Sequence, residues 1–471
     1  MKRPIVFLLL ASLIMAFILT SCIGSPESNN LGQNDRGENK ASDPPNLSEI
    51  ETDKIRIWFY QALEGTVPEM IEKYKKLKPF LDTEFDLYSF EGNSDSYSSY
   101  VDTALHAGGS VAPDIYFVEY NQIYKYTKGD ATGYAASYKE LGIDVDRLID
   151  EAKISKYIVD IGTRPTDNQV VALSYEGTAG IFIYRRSIAK DVWGTDDPVV
   201  VQDKIGPGWD RFFDAAEDLK SKGYAIVSSH FDLWRQIDAS ADSGWFKDGD
   251  LYIDPKREAF LDISKKLEDN GYHNDTILFS EEWTGDMWDN NERQVLGFFG
   301  PAWLLSYVIF SHSGYKPDAN QMGSFGDWAV CQPTENFFWD GNWVLARKDP
   351  KYKKTVADLL EWMTLDISDT GLQYELANGT FSKDRPMEGV ASIAVMERSD
   401  GSLDILGGQN IFDVLVPASE ATRGKEISKY DDIISDIWID QVDKYTQGKK
   451  TKSQAIKDFK ALVKEQLDAL E

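Results

Sequence analysis

Flat aromatic rings and carboxylates, set just after apolar runs, are the side chains here whose types and spacing suit chemistry. The clearest case is the stretch from Leu296 to Trp303, where an apolar run ends at Gly300-Pro301-Ala302 and then presents an indole. Tyr60 and Glu64 follow the alternating run Lys54 to Tyr60, Asn93 and Asp95 follow Phe85 to Phe90, and Glu119 and Tyr120 follow Pro113 to Val118. Further along stand Glu176, the His230-Phe231 pair with Trp234, Trp283 and Trp288 in an acidic segment, and Trp339, Asp340 and Trp343. A ring face packs on an apolar patch, and a carboxylate accepts hydrogen bonds from neighbouring hydroxyls. Together they suit noncovalent recognition. Several have a plain structural use as well. Asn93 or Asp95 can cap the following helix, Glu64 can sit in a solvated loop, and Trp343 alternates toward a core. Of His230, Phe231 and Trp234, one is expected to face a ligand.

Bond-making chemistry has little support. The chain carries 78 Asp and Glu residues, so an acidic pair such as Glu281-Glu282 carries no signal for glycoside hydrolysis, which needs a defined separation across a bound sugar. No phosphate-binding loop and no Gly-x-Ser-x-Gly elbow occurs. No His, Cys and Asp cluster has metal-ligand spacing. Asp286, Asp289 and Asn290 lack the calcium-loop pattern. The reading is a non-enzyme with no cofactor and no metal.

The elements that position these residues come after an unusual start. Met1-Lys2-Arg3 precedes an apolar run from Ile5 to Leu19, too short to span a bilayer and suited to a secretory signal. Leu19-Thr20-Ser21-Cys22 resembles the lipobox of bacterial lipoproteins, which implies cleavage after residue 21 and a lipid on Cys22. Residues 23–52 are polar and rich in Ser, Asn and Gly, a composition that cannot offset the entropy of ordering, and read as a tether. With Cys22 alkylated, the second cysteine, Cys331, has no disulfide partner. The remaining length suits two lobes rather than one core. Net charge is −28, and −30 without Lys2 and Arg3, which excludes nucleic acid as a partner. The 13 Trp, 23 Tyr and 23 Phe exceed what a core needs, so some rings are expected to line a site.

Strand, helix, strand, helix, strand is the pattern of residues 54–118. Thr66-x-x-Glu69 predicts a capping box for the first helix, and Pro113 to Val118 reads as a buried strand. This pattern predicts a parallel α/β sheet. Later strands are predicted at 169–173, 180–184, 224–228, 294–299, 328–332 and 342–346. Helices are predicted at 208–222, 255–270, 349–363, 427–445 and 451–470.

The order of landmarks resembles the extracellular solute-binding proteins of carbohydrate ABC importers, of the maltodextrin-binding type. The landmarks are Ile55-Arg56-Ile57-Trp58, Ala112-Pro113-Asp114-Ile115, Val171 to Tyr175 leading into Ile181 to Arg186, and Gly208 to Phe212. They continue with Phe299-Gly300-Pro301-Ala302-Trp303, Gln332-Pro333-Thr334, Asp340-Gly341-Asn342 and Tyr445 to Gly448. The chain departs from the family at Arg185-Arg186 and at Asn342, and it inserts Ala302 before the tryptophan. The resemblance implies an α/β, two-lobed periplasmic-binding-protein fold with discontinuous lobes and a hinge of crossover segments. These crossovers would fall near 175–178, 332–336 and 365–370. The domains expected are a lipoprotein signal peptide (1–21), lipidated Cys22 and tether (22–52), N-lobe (53–175 and 337–365) and C-lobe (176–336 and 366–471). A sugar offers apolar ring faces and edge hydroxyls, so Tyr60, Glu64, Asn93, Glu119, Tyr120, Glu176, His230, Trp234, Trp283, Trp288, Trp303, Trp339, Asp340 and Trp343 are its expected contacts. The expected protein is a monomer, lipid-anchored on the extracytoplasmic face of a bacterial cell membrane, delivering an oligosaccharide to a membrane permease. The alternatives are a surface-tethered glycoside hydrolase and a glycan-capturing adhesin.

Overall fold

A computed structural model describes residues 53–91, 94–288, 291–316, 323–383, 386–424 and 427–468. The signal, tether and Cys22 readings, and Asn93, lie outside the described residues. The first sheet forms from β1 (Lys54–Tyr60), β2 (Glu84–Phe90), β3 (Ile115–Glu119), β4 (Leu173–Ser174) and, much later in the chain, a strand at Asn342–Ala346. β1 is parallel to β2 and β3, whereas the late strand runs antiparallel between β3 and β4. Buried β-branched and aromatic residues fill β1 and β3, as expected of strands covered on both faces. The helix Val67–Leu77 returns the chain from β1 to β2 with Val67, Met70, Ile71 and Tyr74 inward. Its Thr66 makes no side-chain cap, so the predicted capping box is absent, and Thr66 lines a cavity instead.

The second lobe is built on β5 (Ile181–Arg185), flanked antiparallel by β6 (Gly297–Gly300) and β7 (Trp328–Cys331). The late strand of the first sheet is thus β8 (Asn342–Ala346). Short parallel bridges, Ala225 to Val295 and Val227 to His273, extend this sheet sideways. Its core is strongly aromatic: Trp245 lies 6.2 Å from Trp438, and Trp438 lies 4.9 Å from Phe459. Much of the aromatic surplus is therefore core rather than site.

Three connections cross between lobes and hydrogen-bond to one another. Ala391 N–H donates to Tyr175 O at 3.1 Å, and Gly177 N–H donates to Gly389 O at 3.0 Å. On the other side Trp339 N–H donates to Thr178 O at 3.0 Å and Gly180 N–H to Phe337 O at 2.8 Å. The crossing segments are thus 175–180, 337–339 and 389–391. The second lies just past the expected 332–336, and the third lies about twenty residues past the expected 365–370. Within residues 372–398, expected in the C-lobe, Glu375, Ser392 and Glu397 contact the first lobe. Ser392 Oγ donates to Ala152 O at 2.6 Å, Glu375 pairs with Lys73 at 2.5 Å, and Glu397 pairs with Lys153 at 2.6 Å. Among the described residues, no helix is long and apolar enough to cross a membrane.

Candidate functional site

Register decides what meets at the edge of the first sheet. β3 and β8 pair so that Glu119 lies opposite Asn342, and β1 ends beside them at Tyr60. The Tyr60 hydroxyl donates to Asn342 Oδ1. Asn342 Nδ2–H donates in turn to Glu176 Oε2 at 3.0 Å, and the Asn342 backbone N–H reaches the same oxygen at 3.3 Å. One amide thus ties a strand end to a crossing segment. Burial, then Glu119, Asp340 and Glu176, push the Tyr60 phenol well above its usual value, so it stays protonated as a donor.

Asp340 stands beside this chain with φ at 63°. Its carboxylate accepts Gly341 N–H at 3.0 Å, and its carbonyl accepts the Thr178 hydroxyl at 2.8 Å. Burial raises its carboxyl above the usual range, against the pull of Arg235. The opposite wall comes from the second lobe. β6 ends at Gly300 opposite Ile181, so Trp303 emerges next to the crossing segment that leads into β5. Its ring meets Trp339 edge-on, with centroids 5.0 Å apart and planes at 67°, and its Nε1–H points at Trp339 O at 3.5 Å. Phe279 sits 6.0 Å from Trp339 on another side, and the Arg235 guanidinium lies 5.6 Å from the Trp339 ring. Phe279 has φ at 63°, an uncommon conformation for a large side chain. At the far end the Tyr307 hydroxyl donates to Glu388.

These groups line one cavity of about 240 Å³. Tyr60, Glu119, Glu176, Trp303, Trp339 and Asp340 were singled out from the sequence, and all six line it. The others do not. Glu64 is exposed and accepts the Ser89 hydroxyl at 2.6 Å. Tyr120 makes a T-shaped contact with Phe338 at 5.0 Å, its hydroxyl is buried, and it is not among the cavity-lining residues. Trp343 is fully buried, because alternation along β8 sends it inward where Asn342 points out. Trp283 is fully buried too, and its Nε1–H donates to Asp232 at 2.8 Å. Trp234 stacks on Trp245 at 6.4 Å in the core. Trp288 covers Gly314, where a Cβ would meet its Nε1 at 1.9 Å. His230 is fully buried outside the cavity, and burial with His273 nearby pushes its imidazole down to about 3. None of His230, Phe231 and Trp234 lines the cavity; their neighbour Arg235 does.

Sequence reasoning missed Arg235, Phe279, Tyr307, Glu388 and Asn342. Arg235 had a signal, since a helix that buries Trp234 turns the next residue outward by ~100°. Asn342 stood in a quoted landmark and was passed over for its neighbours. Tyr307 and Glu388 are 81 residues apart and meet only in the fold.

Two α/β lobes joined by three crossing segments, with rings and carboxylates around a cavity at the junction, define a two-lobed solute-binding protein. The description bacterial extracellular solute-binding protein matches residues 69–374, more than half of the sequence, and the chain belongs to that family. Its members bind solutes outside the cytoplasm and are not enzymes. No curated protein sequence matches the chain. Among solved structures, a family 1 extracellular solute-binding protein superposes with TM-score 0.68 at 16% identity, over 87% of this chain and 99% of its own. The galacto-N-biose-/lacto-N-biose I-binding protein of Bifidobacterium longum, solved with lacto-N-biose, gives 0.62 at 16%, covering 89% and 98%. The sugar-binding protein MalE of Xanthomonas citri gives 0.61 at 12%, covering 88% and 96%. At these identities the likeness establishes the shared two-lobed fold.

Proposed function

We propose that the protein captures a carbohydrate of more than one sugar unit in this cavity and delivers it to the permease of an ABC importer. The observation that carries the reading is the pairing of Trp303 and Trp339 with Tyr60, Asn342, Glu119, Glu176 and Asp340 around one space. Indole faces suit the C–H patches of a sugar, and the carboxylates, the amide and the phenol suit its hydroxyls. Arg235 supplies a cation on the rim. The lacto-N-biose bound by the Bifidobacterium protein, and the description of the Xanthomonas protein as sugar-binding, are consistent with this class. Lipid anchoring through Cys22, a monomeric state and a place on the extracytoplasmic face of the membrane belong to the same proposal. So do the roles of the six cavity residues as ligand contacts.

Thermal-shift screening of the purified chain against neutral di- to hexasaccharides, with product analysis of each mixture, tests it. The expected result is a raised Tm for a narrow set of sugars, recovered intact. Stabilisation by none of them, or sugar cleaved in proportion to protein, would overturn it.

A further inference from the structure

Outside the cavity, the second lobe gathers a second set of polar groups. His230 opens a short turn just after the segment that bridges through Val227 to His273. Parallel pairing therefore brings the two imidazoles to one end of adjacent segments, with ring centroids 5.7 Å apart. Asp275 follows two residues on, with φ at 55°. The ligand-capable atoms of His230, His273 and Asp275 all lie within 4.8 Å of one another. From the helix Asp431–Thr446, Asp443 brings a carboxylate oxygen to 3.9 Å from His230 Nε2. Sequence spacing hid this set, because 43 residues separate the histidines and only the sheet closes the gap.

Two features mark it as more than a polar cluster. His230 is fully buried, yet neither ring nitrogen has a hydrogen-bond partner. A buried polar group without a partner is costly, and a metal ion is a partner to which an imidazole nitrogen donates its lone pair. His273 is already held as metal-binding histidines are. Its Nδ1 accepts Asp275 N–H at 3.1 Å and its Nε2 faces Glu268 Oε2 at 3.1 Å. One of these contacts yields to an ion while the other orients the ring. Metal bonds of roughly 2.0–2.2 Å require the set to contract by about 1–1.5 Å. The exposed Asp275 offers both the freedom and the entry path.

We propose that His230, His273 and Asp275, with Asp443 or water completing the shell, bind one divalent first-row transition ion, for which zinc is the best match. Two imidazoles and a carboxylate select such an ion over calcium or magnesium, which prefer all-oxygen shells. None of the four lines the cavity, so the site would fasten the Asp431–Thr446 helix to the second-lobe sheet rather than meet the sugar.

The test uses the full chain stripped with chelator. Zinc is titrated in competition with a chromophoric chelator, and cobalt is added in parallel to read ligand-field bands. The account expects one equivalent of zinc, cobalt bands of a four- or five-coordinate site, and a higher Tm with zinc. His273→Asn and Asp275→Asn are each expected to weaken zinc by ~10–100-fold, while Trp303→Ala leaves it unchanged. Asp275 is exposed, so its variant serves even where a buried histidine variant fails to fold. Absence of stoichiometric zinc binding by folded wild type, or retention of full affinity by Asp275→Asn, would overturn the proposal.

Discussion

Trp303 and Trp339 meet edge to face at 5.0 Å, which fixes the angle between the two indoles that line the cavity. Replacing Trp303 by alanine is expected to weaken sugar binding by roughly 1–3 kcal/mol, measured by titration calorimetry on a variant with unchanged Tm. Asn342 acts through position: it accepts from Tyr60 and donates to Glu176. Asn342→Leu removes the acceptor of the Tyr60 hydroxyl and the side-chain donor to Glu176 and is expected to cost about 1–3 kcal/mol of binding or folding free energy, seen in paired calorimetry and denaturant titration. Legibility at this scale followed local punctuation. Trp303 was visible because glycine and proline end its strand, and Tyr60 and Glu119 because they close alternating or apolar runs. Trp283 and Trp343 show the limit, since an indole in a short helix or an inward strand position reads the same as one at a rim. Phe279 was invisible, because a positive φ in a phenylalanine leaves no mark in the letters around it.

Short crossing segments, rather than whole lobes, hold the junction together. Gly177 and Gly180 sit where no larger residue fits: a Cβ on Gly177 would lie 2.2 Å from Val390 O, and one on Gly180 would lie 2.0 Å from the Phe337 ring. Gly177→Ala is expected to push the 389–391 segment away and destabilise the fold by about 1–3 kcal/mol, with weaker sugar binding because Glu176 and Thr178 move with it. A denaturant titration beside a binding isotherm checks both effects. An unchanged midpoint would mean that the segments tolerate separation. The long elements were legible, as with the buried strand Ile115–Glu119 and the helix Pro255–Asn270, which begins at the Asp254 cap and stops at Gly271. The crossings beyond the first were not, because two or three hydrogen bonds between single residues produce no periodicity. The third was expected near 365–370, whereas the backbone bonds to Tyr175 and Gly177 come from residues 389–391.

Across the molecule, acidity dominates, with a net charge of −28, and it also shapes the cavity. Glu119, Glu176, Asp340 and Glu388 face it against the single rim cation Arg235 among the described lining residues. Uronate-containing sugars are therefore expected to bind at least ~10-fold more weakly than neutral ones of equal length, since like-charge juxtaposition is costly. Half-buried acids also tie stability to pH. Burial, then Asp432, push Asp436 up to about 6, against Arg235. Between pH ~4 and ~6 the folded chain keeps a proton that the unfolded chain has lost. Stability from this group is thus full below pH ~4, falls as pH rises through ~6, and is flat above. Asp436→Asn removes that fall and is expected to raise stability by about 1–2 kcal/mol at pH 7, after allowance for solvent screening, with little change at pH 4. The two-lobed plan itself was legible from chain length and landmark order, whereas which rings became core depended on packing that no local pattern records. The central claim is that a neutral oligosaccharide binds between the lobes against Trp303 and Trp339. Titration calorimetry of the stabilising sugar against wild type and Trp303→Ala tests it most directly. One site on wild type and a clear loss of affinity in the folded variant is the predicted result; equal affinity in both, or no binding to either, would contradict it.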